Sequence, residues 1–117
     1  MTEWEIWHNP RCSKSRQALR ILQENGVDPK VVLYLQAPPS PSRLHAVLNL
    51  LGMEPHELIR TKEPVYQSLG LGEVDFSREE WIQTMVENPK LIERPVVLHE
   101  QQAILGRPVE NVLRLFD

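Results

Sequence analysis

The sequence has a single cysteine, Cys12, among 117 residues. An internal disulfide is therefore excluded, and any thiol redox chemistry must borrow a second thiol from another molecule. Long apolar runs are missing as well. The longest, such as Val31-Val32-Leu33 and Pro95-Val96-Val97-Leu98, are far too short to span a bilayer. The opening segment Met1-Thr2-Glu3-Trp4-Glu5-Ile6-Trp7 lacks the basic and apolar regions of a signal peptide. Basic residues are not in excess: 13 Lys and Arg stand against 16 Asp and Glu, a net charge of −3. That balance disfavours nucleic-acid or membrane-surface binding, yet leaves room for a small anion site, which needs only a few clustered cations. His45, His56 and His99 show no metal-ligand spacing. Neither a glycine-rich phosphate loop nor a dinucleotide fingerprint is present. A cytoplasmic protein that binds neither nucleic acid nor membrane is expected, with no bound metal or cofactor.

With 41% hydrophobic and 25% charged residues, the composition is that of an ordinary globular chain, read as one domain over residues 1–117. Residues 3–7 alternate and predict a strand, which His8-Asn9-Pro10 breaks. Ser13 to Asn25 predicts a helix with Ala18, Ile21, Leu22 and Asn25 on one stripe, stopped at Gly26. Lys30 to Leu35 predicts a second strand, parallel to the first and buried on both faces. A helical insertion is expected at about residues 40–88. It comprises a helix capped by Ser40 with Pro41 in its first turn, helical stretches near Pro55–Arg60 and Pro64–Leu69, and a helix opened by the capping box Ser77-Arg78-Glu79-Glu80. Val96–Leu98 and Ala103–Leu105 predict a hairpin, and Pro108 opens a last helix carrying Val109, Val112, Leu113 and Phe116. This βαβ, helical insert, ββα order is that of an α/β thioredoxin-like fold.

Cys12 falls between the first strand and the first helix. Unpaired helix amides and the helix dipole there favour a thiolate, the nucleophilic form. Arg11, Lys14 and Arg16 push the same way, and these polar, cationic flanks favour a reactive thiol over an inert buried one. A Cys-x5-Arg phosphate loop is excluded by Ala18, and a Cys-x-x-Cys dithiol by Ser15. Without a resolving cysteine, turnover requires an external thiol, for which glutathione is the cytosolic candidate.

The run His8-Asn9-Pro10-Arg11-Cys12-Ser13-Lys14-Ser15-Arg16 resembles the active-site signature of glutaredoxin-linked arsenate reductases, the ArsC family. The likeness continues in order through Leu33-Tyr34-Leu35, Pro38-Pro39, Leu58 to Glu63, Tyr66 to Leu71, Leu91 to Pro95 and Gly106-Arg107-Pro108. It implies that Cys12 attacks arsenate, that glutathione and then glutaredoxin resolve the adduct, and that Arg60, Arg94 and Arg107 hold the oxyanion. Guanidinium groups suit that duty, with planar bidentate donors and permanent charge. The resemblance also implies that His8 tunes the thiol as an imidazolium and that Arg94-Pro95 is the thioredoxin-fold proline, cis and beside the thiol. Ser15 is a candidate donor to the thiolate. A monomer is expected. Two other readings stand beside this one: a glutathione-dependent reductase of another substrate, and an Spx-type regulator that binds RNA polymerase. Spx-type proteins typically carry Cys-x-x-Cys, where this chain has Ser15.

Overall fold

A computed structural model describes residues 3–116, so Met1 and Thr2 of the opening segment, and Asp117, lie outside the described residues. The chain divides into two compact units. One is formed by the segments before Pro38 and after Glu93, the other by Pro38–Glu93. No helix among the described residues is long and apolar enough to cross a membrane.

The first unit is a four-stranded sheet in the order β2-β1-β3-β4. Its strands are β1 (Trp4–Trp7), β2 (Lys30–Val32), β3 (Val96–His99) and β4 (Gln102–Leu105). β1 runs parallel to β2 and antiparallel to β3, which pairs antiparallel with β4. The parallel pair follows from the crossover helix α1 (Ser13–Glu24) between β1 and β2. Leu22 and Ala18 of α1 pack with Ile6, Val97, Val109, Val112 and Leu115 in one apolar core. Asn25, expected on that stripe, is instead the exposed helix cap, its side-chain amide donating to the Ile21 carbonyl at 2.8 Å.

Two expectations are corrected here. β2 ends at Val32 and is not buried on both faces: Val31 is 44% exposed and Leu33 37% exposed. The strand order makes β2 an edge, paired with β1 on one side. The chain then turns at the Leu33 carbonyl, which accepts from the Gln36 and Ala37 amides, and Tyr34 is the residue sealed inside. The last helix is 3-10 over Val109–Phe116, and its buried residues are Val109, Val112 and Leu115. Spacing of three is the 3-10 repeat, which leaves Leu113 and Phe116 outside. The ring of Phe116 stacks on Trp4, which also stacks on His99. Trp4 thus packs at the sheet end.

The second unit holds α2 (Pro41–Leu51), α3 (Pro64–Ser68), α4 (Arg78–Glu87) and 3-10 turns at Pro55–Leu58, Leu71–Glu73 and Pro89–Leu91. Ser40 caps α2 by accepting from the Arg43 amide, and Gly52 ends it in the left-handed region at φ 69°, where a side chain would be strained. The Ser77 and Glu80 capping box opens α4 as expected. Arg78, the first residue of α4, donates to Glu54, Asn49 and His45, tying α4 to α2. The unit extends beyond residue 88 because its exit strand pairs with its middle. Ile59 bridges Ile92, the Arg60 amide donates to the Leu91 carbonyl, and the Glu93 amide donates to the Leu58 carbonyl.

Candidate active site

The loop after β1 is built as a tight turn. Asn9 and Pro10 are good turn residues, because asparagine can hydrogen-bond its own backbone two residues on and proline presets φ. The Cys12 amide donates to the Asn9 carbonyl at 2.9 Å, closing the turn, and the Arg11 amide donates to Asn9 Oδ1 at 3.0 Å. The His8 amide anchors the start of the loop on the Val32 carbonyl of β2. Arg16 reaches back to the Pro10 carbonyl at 2.9 Å. The turn leaves Cys12 with extended backbone at the N-cap of α1, where serine or aspartate commonly accepts amide bonds.

The half-buried sulfur at that position is favoured as an anion. Burial works against its charge, but the Ser15 amide, the Arg94 guanidinium and the Lys14 amide outweigh it and lower the Cys12 pKa below 9.0. Arg107 adds a donor from the last loop, with its terminal nitrogen 3.7 Å from Sγ. Its Nε donates to the Arg94 carbonyl at 2.6 Å. One guanidinium therefore ties the two arginine loops together beside the thiol.

Arg94 keeps its charge firmly. Burial opposes it, but hydrogen bonding to Cys12 and the nearby Tyr34 phenol outweigh that and raise its pKa above the ordinary guanidinium value. Among the described residues, Arg94 Nε is buried and meets no hydrogen-bond acceptor. The Arg94-Pro95 and Arg107-Pro108 peptide bonds are both cis. Gly106 makes room for this arrangement. A Cβ there would stand 2.8 Å from Pro95 Cγ, and the Gly106 amide donates to the Pro95 carbonyl.

The structure brings His8 and Ser15 together in the loop before α1. Ser15 is fully buried and His8 nearly so. Ser15 Oγ accepts from the Asn9 amide at 3.0 Å and lies 2.6 Å from His8 Nδ1. Burial first, and the Arg16 charge second, lower the His8 pKa below 6.5 and so disfavour the imidazolium. The Ser15 amide thus supports the Cys12 sulfur, while the Ser15 hydroxyl bonds to the His8 ring.

Arg60 belongs to the second unit. Its guanidinium binds Glu93 at 2.7 Å and stands 3.8 Å from Glu63. Asn9 and Tyr34 are the residues that sequence reasoning missed. The Asn-Pro pair signalled the turn, whereas nothing local marks Tyr34 as a neighbour of Arg94.

Fold and site together define a thioredoxin-like protein with one thiol at a helix N-terminus, faced by arginines from the chain's distal third. The chain belongs to the ArsC family, whose model matches residues 7–115. It is similar to uncharacterized protein YfgD of Escherichia coli strain K12, with 51% identity over 95% of this chain and 94% of that protein. It is 42% identical to an arsenate reductase of Neisseria meningitidis, over 96% of this chain and 97% of that one. A solved arsenate reductase from Vibrio cholerae superposes with a TM-score of 0.92 at 42% identity, covering 97% of each chain.

Proposed function

We propose that this protein is a cytoplasmic reductase of arsenate to arsenite that depends on glutathione and glutaredoxin. The observation that carries the reading is a thiolate-favouring Cys12 with Arg107 at 3.7 Å and the buried, acceptor-free Nε of Arg94 on a guanidinium that contacts the sulfur. Relatives that carry the name arsenate reductase support the substrate.

The Cys12 thiolate attacks arsenic, and one arsenate oxygen leaves as water. Arg94 and Arg107 neutralise the incoming dianion and the charge that develops on its oxygens. Glutathione displaces a second oxygen, again as water, and leaves arsenic(V) between two sulfurs. The glutaredoxin thiolate then attacks the glutathione sulfur. The arsenic–sulfur electron pair stays on arsenic, which becomes arsenic(III), and a glutaredoxin–glutathione disulfide forms. Water releases arsenite and restores Cys12. Two thiols are oxidised for each arsenate reduced. His8, Ser15 and Pro95 shape the site around the sulfur. The resemblance gives Arg60 the same oxyanion duty, which Arg60→Ala tests separately, because Glu93 already engages that side chain.

The test is NADPH oxidation coupled through glutathione reductase, glutathione and glutaredoxin, with and without arsenate. Turnover should depend on arsenate and vanish in Cys12→Ser, since no second cysteine exists to replace it. Arsenate-independent turnover, or residual activity in the variant, would overturn the reading.

A further inference from the structure

Asn9 holds the loop before Cys12 through three hydrogen bonds. It is 8% exposed, and three of its polar groups are committed. Its amide donates to Ser15 Oγ at 3.0 Å, its side-chain oxygen accepts from the Arg11 amide at 3.0 Å, and its carbonyl accepts from the Cys12 amide at 2.9 Å. The first bond fixes the loop to α1. The second closes a side-chain-to-backbone turn of the kind asparagine favours. The third consumes the Cys12 amide, so that the residue enters the helix as its N-cap with extended backbone.

We infer that Asn9 is the positioning residue of the thiol, holding the turn that presents Cys12 Sγ to the amides of the first helical turn and to Arg107. The inference rests on Cys12 as the nucleophile and does not depend on the identity of the oxyanion. Asn9 acts through the backbone. Its side-chain oxygen fixes the Arg11 amide, and with it the direction in which the chain enters α1. An alanine keeps the main-chain bonds but loses that oxygen, and the turn loosens where the sulfur is aimed.

The experiment measures iodoacetamide alkylation of the full chain's one thiol against pH, beside thermal unfolding. Asn9→Ala should move the alkylation midpoint upward and slow alkylation at pH 7 severalfold. Asn9→Asp retains an acceptor oxygen and, in 1 M salt, which shortens the screening length to about 3 Å, should recover the wild-type profile. An unchanged midpoint in Asn9→Ala, with only the melting temperature lowered, would reduce Asn9 to a fold residue and overturn the inference. Failure of Asn9→Asp to recover the profile would overturn it too. Should Asn9→Ala not fold, Asn9→Ser decides. Its weaker acceptor should give an intermediate midpoint, and a wild-type midpoint there would sink the idea. Because alkylation needs no arsenate, a negative coupled assay would not be mistaken for failure here.

Discussion

Ser15 Oγ stands 2.6 Å from His8 Nδ1, and this buried hydrogen bond joins the serine hydroxyl to the histidine ring. Ser15→Ala would leave both the His8 nitrogen and the Asn9 amide without their partner. Each unsatisfied buried group costs ~1–3 kcal/mol, so denaturant unfolding should show a loss within or above that range. A change within ~0.5 kcal/mol, the scale of ordinary surface substitutions, would contradict the contact.

The same pair makes stability pH-dependent. His8 is held below 6.5 by burial and by Arg16. Between its folded pKa and 6.5, the unfolded chain binds the extra proton, so stability rises with pH in that window. The His8 contribution is therefore complete above pH 6.5 and is lost as acid carries the pH down through the folded value. Urea midpoints from pH 7 down to pH 5 should fall for the wild type and fall less for His8→Gln. Equal slopes would contradict a neutral buried imidazole.

Arg107 is engaged at both ends of its guanidinium, on the Arg94 carbonyl and on Cys12 Sγ. Lysine cannot reproduce that forked geometry. Both Arg107→Lys and Arg107→Ala should lower kcat/KM for arsenate by roughly 10²–10³, the scale of losing one preorganised donor to a developing oxyanion. Full activity in Arg107→Lys would show that charge alone suffices.

Gly106 lies where Pro95 leaves no room. In Gly106→Ala the new methyl would stand 2.8 Å from Pro95 Cγ and 3.3 Å from Val112 Cγ2. Overpacking of this kind costs ~1–3 kcal/mol. Melting temperature and arsenate turnover should fall together, because the shift displaces the loop that carries Arg107. A fully stable, fully active variant would contradict the close approach.

The parts of this chain that sequence made legible are those set by local chemistry. Ser40, Pro41 and Gly52 bound α2 through caps and φ preference, and Ser77 with Glu80 opens α4 by the same logic. Cys12 was legible because a helix N-terminus and three cations adjoin it in sequence. The edge position of β2 was not, since Val31 and Val32 look alike in an edge or a central strand and only pairing order decides. The 3-10 winding of Val109–Phe116 was hidden because Val109 and Val112 fit either helical repeat. The lowered pKa of His8 depends on tertiary burial, which spacing cannot show. Arg60 marks the same boundary: its motif was readable, its engagement by Glu93 was not.

The central claim is that the folded surroundings of Cys12 favour its anion. One measurement addresses it without any substrate: the pH dependence of iodoacetamide alkylation of the single thiol, in the native chain and in the same chain unfolded in urea. The native midpoint should lie below that of the unfolded chain and move upward in Arg94→Ala. A native midpoint equal to or above the unfolded one would contradict the account.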